Sequence, residues 1–469
     1  MLKKTYLCTQ NHFTIMKNIH FPLLLIIVLS LSANPINAQE FESATDAVRN
    51  MQVGWNLGNT LESNSGDTTN MWIEKWSQRK TSDYETAWGQ ALTTQALIHL
   101  FKEAGFNAIR VPVTWYPHTK NTWNISLVNN QPVWSPTKDP IGTTIDPVWM
   151  ARVKEVVDYV INEGMYCIIN IHHDTGTSNT HWLIADTANY NAQHERFAAI
   201  WKQIAEEFKD YDEHLLFEGY NEMTDPANSW CFASFGTSAR YNAGMAKSAY
   251  EAINRYAQLF VNTVRATGGN NATRNLIVST YAGCDGHGTW NNHLNDPLKN
   301  LKLPQDEATN HLIFEVHSYW DTKNFSSASV GELKTSINNL KNNLSVPNNN
   351  TPVIIGEWGS ADDSGGSKPQ QLNAFAEAYS REAKKAGFTT FYWMGLVDGK
   401  TDRAVPQWTQ PAVRDAILKG YRTAVPLEEV REARTDSRIF SVMGQEMGTD
   451  RTSLPSGLYI QSGKTFFIP

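Results

Sequence analysis

The stretch LLFEGYNEM, residues 215–223, is an apolar run that carries two carboxylates, Glu218 and Glu222. Burying a charge in such a strand is costly unless the charge has a partner. The stretch therefore predicts a structural ion pair, a chemical role, or one of each. Since side chains alternate along a strand, positions 218, 220 and 222 are expected on one face, with Glu222 at the open end and Glu218 deeper.

Similar apolar runs recur along the chain. The strand-like segments are 53–59, 108–115, 166–173, 215–222, 275–281, 311–319, 352–359 and 389–395. Between them, helical periodicity is clearest at 149–164, 194–210, 250–269 and 370–387. Eight such units predict an α/β fold, a (β/α)8 TIM barrel. A doubly wound open sheet is the alternative, but no glycine-rich phosphate fingerprint follows a strand.

The connecting segments predict which end of the barrel holds the site. Segments that lead from a helix into a strand are mostly short, such as 105–107 and 164–165. Segments that follow strands are long, such as 116–146 and 282–309. Barrel enzymes elaborate the loops at the carboxyl ends of their strands, so the site is expected there.

Polar side chains occur at the ends of six predicted strands. They are Arg110, His172-His173-Asp174, Asn221-Glu222, His317-Ser318-Tyr319, Glu357-Trp358 and Trp393. Glu222 and Glu357 end the fourth and seventh strands and can face each other across the mouth. Facing carboxylates with aromatic platforms suit glycosidic bond cleavage. Arg110 beside one of them would keep it ionised, which suits a nucleophile, and the other would act as the acid.

Other chemistries fit the pattern less well. A zinc site built from His172, His173, His317 and Glu222 is disfavoured because consecutive residues point to opposite faces of a strand and no HExxH helix exists. No Gly-x-Ser-x-Gly elbow indicates a serine hydrolase. No metal or cofactor is predicted. The loop residues Asp174, Asp321 and Asp398 are expected to contact substrate or solvent, as are the loop tryptophans, which include Trp182.

Six short motifs of the sequence together resemble a known enzyme family. The stretches GWNLGNTLE (54–62), IRVPVTW (109–115), INIHHD (169–174), FEGYNE (217–222), VHSY (316–319) and IGEWG (355–359) resemble the cellulase-type enzymes of glycoside hydrolase family 5. The resemblance implies that Glu222 is the acid/base and Glu357 the nucleophile of a retaining enzyme. Residues implied to bind substrate or support the pair are Arg110, His172, His173, Asn221, His317, Tyr319, Asn59 and Trp115, with Trp393 as the sugar platform. Met223 and the 396–400 loop depart from the family pattern.

The resemblance implies an endo-β-1,4-glucanase that cleaves internal bonds of cellulose-like β-glucans. Xyloglucanase, mixed-linkage glucanase or mannanase activity stays open, as does an inactive surface protein that only binds glycans. The expected partner is a polysaccharide and the chain is expected to be a monomer. With a net charge of −7 and no basic run, nucleic acid is not an expected partner.

The two ends of the chain predict export. Residues 21–33 form a short apolar region that is typical of a signal peptide covering 1–38, too short to span a membrane. The catalytic domain is predicted at 39–424 and a linker at 425–438. The tail, 439–469, resembles the sorting signal of type IX secretion, which implies export machinery as a partner. The predicted location is the exterior or surface of a Gram-negative bacterium. Cys167 is expected to be a buried thiol, and a Cys231–Cys284 bridge stays open.

Overall fold

The computed structural model describes most of the chain. The described residues are 41–66, 72–77, 80–119, 126–128, 131–133, 142–176, 181–229, 241–288, 292–361, 368–393, 401–424, 439–441, 447–461 and 464–468. The predicted signal peptide and linker lie outside these ranges, as do Asp398 and Cys231, so the Cys231–Cys284 pairing stays a prediction. Cys167 is buried, as expected.

The described strands are numbered in chain order. They are β1 (Gly54–Asn56), β2 (Ala108–Val111), β3 (Ser126–Val128), β4 (Gln131–Val133), β5 (Tyr166–Asn170), β6 (Leu215–Glu218), β7 (Leu276–Cys284), β8 (Leu312–Trp320), β9 (Val353–Ser360), β10 (Thr389–Tyr392), β11 (Thr401–Asp402), β12 (Gln407–Trp408), β13 (Ile439–Ser441), β14 (Gly457–Gln461) and β15 (Lys464–Ile468). Eight of them close a parallel barrel in the order β1-β10-β9-β8-β7-β6-β5-β2. Each coincides with a predicted strand, so the (β/α)8 barrel is confirmed.

Helices follow most of the barrel strands. They are α1 (Ala44–Met51), α2 (Trp72–Ser77), α3 (Thr81–Thr86), α4 (Gln95–Ala104), α5 (Pro147–Asn162), α6 (Thr187–Glu207), α7 (Ala243–Arg265), α8 (Asp296–Asn300), α9 (Ser329–Leu340), α10 (Pro369–Lys385) and α11 (Pro411–Thr423). Local sequence sets their ends. The Asp146 side chain accepts the Val148 N–H at 2.8 Å before α5, and Gly105 (φ +109°) ends α4 in the left-handed region.

The interior of the barrel has two layers. The lower layer is apolar and includes Ile168, Leu216, Ile277, Ile313 and Ile354, with Ala44, Val48 and Met51 of α1 packed against it. Helix α1 therefore closes the amino end of the barrel. Two positions further along the same strands, the interior residues are Arg110, Asn170, Glu218, Ser279, Glu315 and Gly356, all buried. The polar upper layer lies directly beneath the mouth.

The C-terminal residues form a separate antiparallel sheet. Strand β14 pairs with β13 and β15, and Ile439, Leu454 and Tyr459 make a small hydrophobic cluster of their own. The β-rich tail predicted from the sequence is therefore present. Within the described residues, no helix combines the length and hydrophobicity needed to cross a membrane.

Candidate active site

Arg110 organises the upper layer of the barrel. Its guanidinium donates to both Glu218 oxygens at 2.6 and 2.7 Å, to Asn56 Oδ1 at 3.1 Å, to Glu357 Oε1 at 2.8 Å and to Asn221 Oδ1 at 2.9 Å. The side chain is fully buried. Burial lowers the pKa of Arg110, but the carboxylates of Glu218, Glu315 and Glu357 raise it by more. Arg110 is therefore a permanently charged group that contacts the deep carboxylate Glu218 on one side and Glu357 and Asn221, at the mouth, on the other.

Two buried carboxylates lie beneath the mouth. Burial raises the pKa of Glu218 to about 7, against the opposing effect of Arg110. Burial also raises the pKa of Glu315, but Arg110 and His317 lower it by more, so its net shift is downward. A side chain at Gly356 would overlap the Glu315 carboxylate, so only glycine leaves room for this group. The predicted buried network of Glu218, Glu315 and Arg110 is thus present.

Glu357 is held from two sides. Arg110 donates to Oε1, and the Tyr319 hydroxyl donates to Oε2 at 2.7 Å. Burial raises the pKa of Glu357, and His317, Arg110 and Tyr319 oppose that rise while Glu222 adds to it. Arg110 thus favours the ionised form of Glu357, as expected, but burial raises the pKa by more than the paired charges lower it.

His317 joins the two candidate carboxylates. Its Nδ1 lies 2.7 Å from Glu222 Oε1 and 3.6 Å from Glu357 Oε2, and its Nε2 lies 3.5 Å from Glu315 Oε1. Burial lowers the pKa of His317, but Glu357, Glu222 and Glu315 raise it well above its ordinary value. One ligand atom each of Glu222, His317 and Glu357 lie within 4.8 Å of one another.

Trp393 forms one side of the mouth. Its ring lies parallel to that of His172, with centroids 5.9 Å apart and 10° between planes. A side chain at Gly58 would come within 2.8 Å of the Trp393 ring. Glycine at this position therefore allows the indole to pack closely against the backbone that follows β1. Burial lowers the pKa of His172 well below its ordinary value, and its Nε2 lies 3.9 Å from Glu357 Oε1. A neutral imidazole and a flat indole thus border the carboxylate.

The three remaining predicted site residues are His173, Asn59 and Trp115. His173 packs against His172 at 4.5 Å and Trp88 at 5.5 Å. Asn59 is buried in a left-handed turn, φ +60°, and its N–H donates to Glu62. Trp115 is fully buried and its indole donates to the Asn170 carbonyl at 2.9 Å. The structure places Trp115 in a supporting position, behind the strand ends.

Three expectations about this region are wrong. Asp174 is fully buried and accepts from the Trp115 and Tyr116 N–H groups at 2.8 and 2.9 Å and from the Trp182 indole at 2.7 Å. Neither Asp174 nor Trp182 is an exposed loop residue. The rings of His172 and His173 lie 4.5 Å apart, so the two side chains do not point to opposite faces, and β5 ends at Asn170, before both of them.

Sequence reasoning also missed several buried supporting residues. Asn56 contacts Arg110, Asn170 donates to Glu218 Oε1 at 2.8 Å, and the Ser279 hydroxyl donates to Glu315 Oε2 at 2.5 Å. Each lies on the interior face of its strand. Each also comes two positions after the residue that occupies the level of the lower layer in that strand. A search for polar residues at this register in every strand could have found them.

A closed parallel barrel with two carboxylates close together at its mouth is an arrangement that glycoside hydrolases use. The family model for cellulase (glycosyl hydrolase family 5) matches residues 66–396. Endoglucanase A of Clostridium longisporum is 32% identical over 424 residues, which cover 85% of this chain and 70% of the relative. The chain belongs to glycosyl hydrolase family 5 and is an endo-acting glycoside hydrolase.

Solved structures agree with this assignment. A GH5-4 broad-specificity endoglucanase from an uncultured bacterium is 44% identical, with a TM-score of 0.69, and the match covers 82% of this chain and 97% of that chain. A family 5 enzyme from Prevotella bryantii B14, in complex with a xyloglucan tetradecasaccharide, is 39% identical with a TM-score of 0.66, covering 81% of this chain and 99% of that chain.

Proposed function

We propose that the chain cleaves internal β-1,4 bonds of a glucan backbone by double displacement, with Glu357 as nucleophile and Glu222 as acid/base. In the first step a Glu357 oxygen attacks the anomeric carbon while Glu222 protonates the departing glycosidic oxygen. In the second step Glu222 takes a proton from water, which attacks the same carbon and releases Glu357. The reducing-end fragment leaves after the first step and the other fragment after the second.

The distance between the two carboxylates is the observation that carries the proposal. Oxygens of Glu222 and Glu357 approach within 4.8 Å. Retaining glycosidases hold their carboxyl groups roughly 5–5.5 Å apart, whereas inverting enzymes leave about 6.5–9.5 Å for a water. The contacts to Arg110 and Tyr319 support Glu357 as the fixed member. Glu222, with a side chain 39% exposed, is the member that can reach solvent and the leaving group.

The substrate proposal uses the relatives' activities. Several similar proteins are endoglucanases, and one solved neighbour binds a xyloglucan fragment. Trp393 would offer a flat surface for the sugar at the cleavage point, and Asn221, whose Oδ1 accepts from Arg110, would bind the 2-hydroxyl of that sugar. We infer a β-1,4-glucan backbone as the substrate, with His172 and His173 as neutral hydrogen-bonding groups near it.

Export is the second part of the proposal. The apolar region 21–33 supports a signal peptide, and the independent β13–β15 sheet supports a tail recognised by export machinery. The enzyme would then act outside the cell or on its surface, where polymers are accessible. Fractionation of cells that express the full chain, and of cells that express a version ending at residue 424, would test this. Export of both versions alike would contradict a role for the tail.

Substitution of each carboxylate tests the catalytic assignment. Glu357→Gln and Glu222→Gln should each lower kcat on carboxymethylcellulose by at least about 10²-fold, because each removes an essential group. Reducing-end release from carboxymethylcellulose, xyloglucan and glucomannan measures both activity and preference. Glu195→Gln, at an exposed position of α6, is the matched control. Near-normal turnover in either site variant would refute that residue's role.

Azide distinguishes the acid/base from the nucleophile. In Glu222→Ala, azide should attack the glycosyl-Glu357 intermediate and give a glycosyl azide of retained configuration. In Glu357→Ala, azide should attack the substrate directly and give the inverted product. NMR of the anomeric proton separates the two, and the reverse pattern would exchange the two roles.

A further inference from the structure

Strand β7 carries a bulge near its carboxyl end, at the level of the mouth. Ser279 pairs with Glu315 of β8, and the next paired residues are Cys284 and His317. Strand β7 therefore advances five residues while β8 advances two, which leaves residues 280–283 outside the regular pairing. These four residues are the β7 bulge. Bulges redirect side chains and are frequent beside active sites.

The β7 bulge holds two consecutive residues in the left-handed region. Ala282 has a φ of +51° and Gly283 a φ of +65°. This conformation is open to glycine but unfavourable for alanine, whose Cβ atom crowds the backbone. The Thr280 hydroxyl donates to the Cys284 carbonyl at 2.8 Å across the bulge, and all four bulge residues are buried. An unfavourable backbone conformation that buried contacts maintain is frequent at functional sites.

One side of the β7 bulge holds the segment that carries Glu222. The Ala282 N–H donates to the carbonyl of Met223, the residue directly after Glu222, at 3.1 Å. The Tyr281 hydroxyl donates to Asp225 Oδ2 at 2.7 Å and accepts from the Asp225 N–H at 3.2 Å. Asp225 is fully buried. The backbone on the C-terminal side of Glu222 is therefore attached to the bulge by both main-chain and side-chain hydrogen bonds.

The other side of the β7 bulge packs against His317. A Cβ atom on Gly283 would lie 2.9 Å from His317 Cγ and 3.0 Å from its Nδ1. The same Nδ1 lies 2.7 Å from Glu222 Oε1. Glycine at position 283 therefore lets the bulge backbone lie directly against the ring that contacts the Glu222 carboxyl.

We propose that the β7 bulge positions the acid/base Glu222, with Tyr281 and Gly283 as positioning residues. Tyr281 fixes the backbone after Glu222 through Asp225. Gly283 fixes the ring of His317, against which the carboxyl lies. The Glu222 side chain is 39% exposed, so contacts around it and not burial must set the direction of its carboxyl. This inference rests on the proposed function, because it takes Glu222 as the proton donor to the leaving group.

Two substrates with different leaving groups separate poor proton donation from general damage. The sugar that leaves cellohexaose must be protonated as the bond breaks, whereas dinitrophenolate leaves dinitrophenyl β-cellobioside without a proton. The kcat/KM value reports the steps up to the first bond cleavage, so the second step of the reaction does not enter it. The ratio of the two kcat/KM values therefore measures how well Glu222 is placed as an acid.

Two variants disturb the β7 bulge from its two sides. Tyr281→Phe removes the hydroxyl that binds Asp225, and Gly283→Ala places a methyl group against His317. Each should lower kcat/KM for cellohexaose about tenfold, because a displaced acid transfers its proton poorly, and for dinitrophenyl β-cellobioside less than twofold. Thermal unfolding shows whether each variant is folded, and Tyr281→Phe alone decides the claim if Gly283→Ala does not fold.

Each variant has a matched control elsewhere in the barrel. Tyr256→Phe removes a buried hydroxyl of α7 that donates to Asn189 Oδ1 at 3.1 Å. Gly164→Ala adds a methyl group at a similar φ, +62°, where it meets nothing within 4 Å. Neither control should change the ratio of the two kcat/KM values by as much as twofold.

Glu222→Gln separates failure of this inference from failure of the proposed function. It should lose far more activity on cellohexaose than on dinitrophenyl β-cellobioside. If it does, equal losses on both substrates in Tyr281→Phe, or no loss on either, would overturn the positioning role of the β7 bulge. Equal losses in Glu222→Gln itself, or a wild-type chain inactive on both substrates, would instead contradict the proposed function.

Discussion

The lower and upper layers of the barrel interior come from the same strands, two residues apart, yet they have opposite chemistry. Ile168, Leu216, Ile277 and Ile313 below become Asn170, Glu218, Ser279 and Glu315 above. The lower layer is closed by α1 and has no buried charge to satisfy. The upper layer holds the buried cation Arg110 and two buried carboxylates, Glu218 and Glu315, each with named partners.

The difference separates stability from chemistry. Apolar packing in the lower layer lowers the free energy of the folded chain without reference to any substrate. A buried ion cluster is at best a weak source of stability, because desolvation opposes its attractions. The upper layer is therefore explained by function and not by stability. Arg110 contacts Glu357 and His317 contacts Glu222, and these contacts fix the two carboxylates at the mouth.

The largest expected effect comes from removing Arg110. Arg110→Met keeps much of the side-chain volume but leaves Glu218 and Glu357 without their cation, so the free energy of unfolding should fall by about 3–5 kcal/mol. Activity should also fall by orders of magnitude because Glu357 loses a partner. Denaturant unfolding and kcat/KM measure the two effects. Adding Glu218→Gln should restore part of the stability but not the activity, and a double variant that recovers neither would contradict the ion-pair account.

Crowding the upper layer should have the next largest effect. Gly356→Ala forces the Glu315 carboxylate to move, and overpacking of this kind costs about 1–3 kcal/mol. Gly331→Ala in α9 is the control, because an added methyl group there meets nothing within 4 Å. Equal stability of the two variants in thermal unfolding would show that Glu315 is not confined as described.

A change in the lower layer should be smaller and confined to stability. Ile313→Val removes one methylene group from the apolar layer and should lower the free energy of unfolding by about 1 kcal/mol. Its kcat/KM should stay within twofold of the wild type. A larger loss of activity would mean that the two layers are not separable.

The smallest expected effect is a shift in pH dependence. Glu357 must be ionised to attack, so activity is lost as the pH falls through its pKa. The Tyr319 hydrogen bond lowers that pKa. Tyr319→Phe should therefore move the acidic limb of the kcat/KM profile to higher pH. A limb that stays in place or moves to lower pH would contradict the assignment of Glu357 as the group that titrates there.

Sequence patterns predicted the barrel well because apolar runs and helical periodicity recur eight times. The different roles of Glu218 and Glu222 were also predictable, because the position of a residue along a barrel strand determines how far it lies below the mouth. The prediction that Tyr220 shares their face is wrong. Strand β6 ends at Glu218, and the Tyr220 hydroxyl lies within hydrogen-bond distance of the Ser279 carbonyl of β7 at 3.3 Å and of the Ile253 carbonyl of α7, outside the barrel, at 3.4 Å.

Features that depend on contacts between distant residues could not be predicted. Asp174 was expected to be an exposed loop residue, but its partners Trp115 and Tyr116 lie in another loop, 58 or more residues earlier in the chain. Strand alternation gives no information once a strand has ended, which is why His172 and His173 were misplaced.

Trapping the covalent intermediate tests the central claim most directly. A 2-deoxy-2-fluoro-cellobioside with a good leaving group should inactivate the wild-type enzyme by slowing the second step more than the first. Mass spectrometry should then find one glycosyl group on the peptide that contains Glu357 and none on the peptide that contains Glu222. An adduct on Glu222, or an unmodified enzyme that releases a product of inverted configuration, would contradict double displacement with Glu357 as the nucleophile.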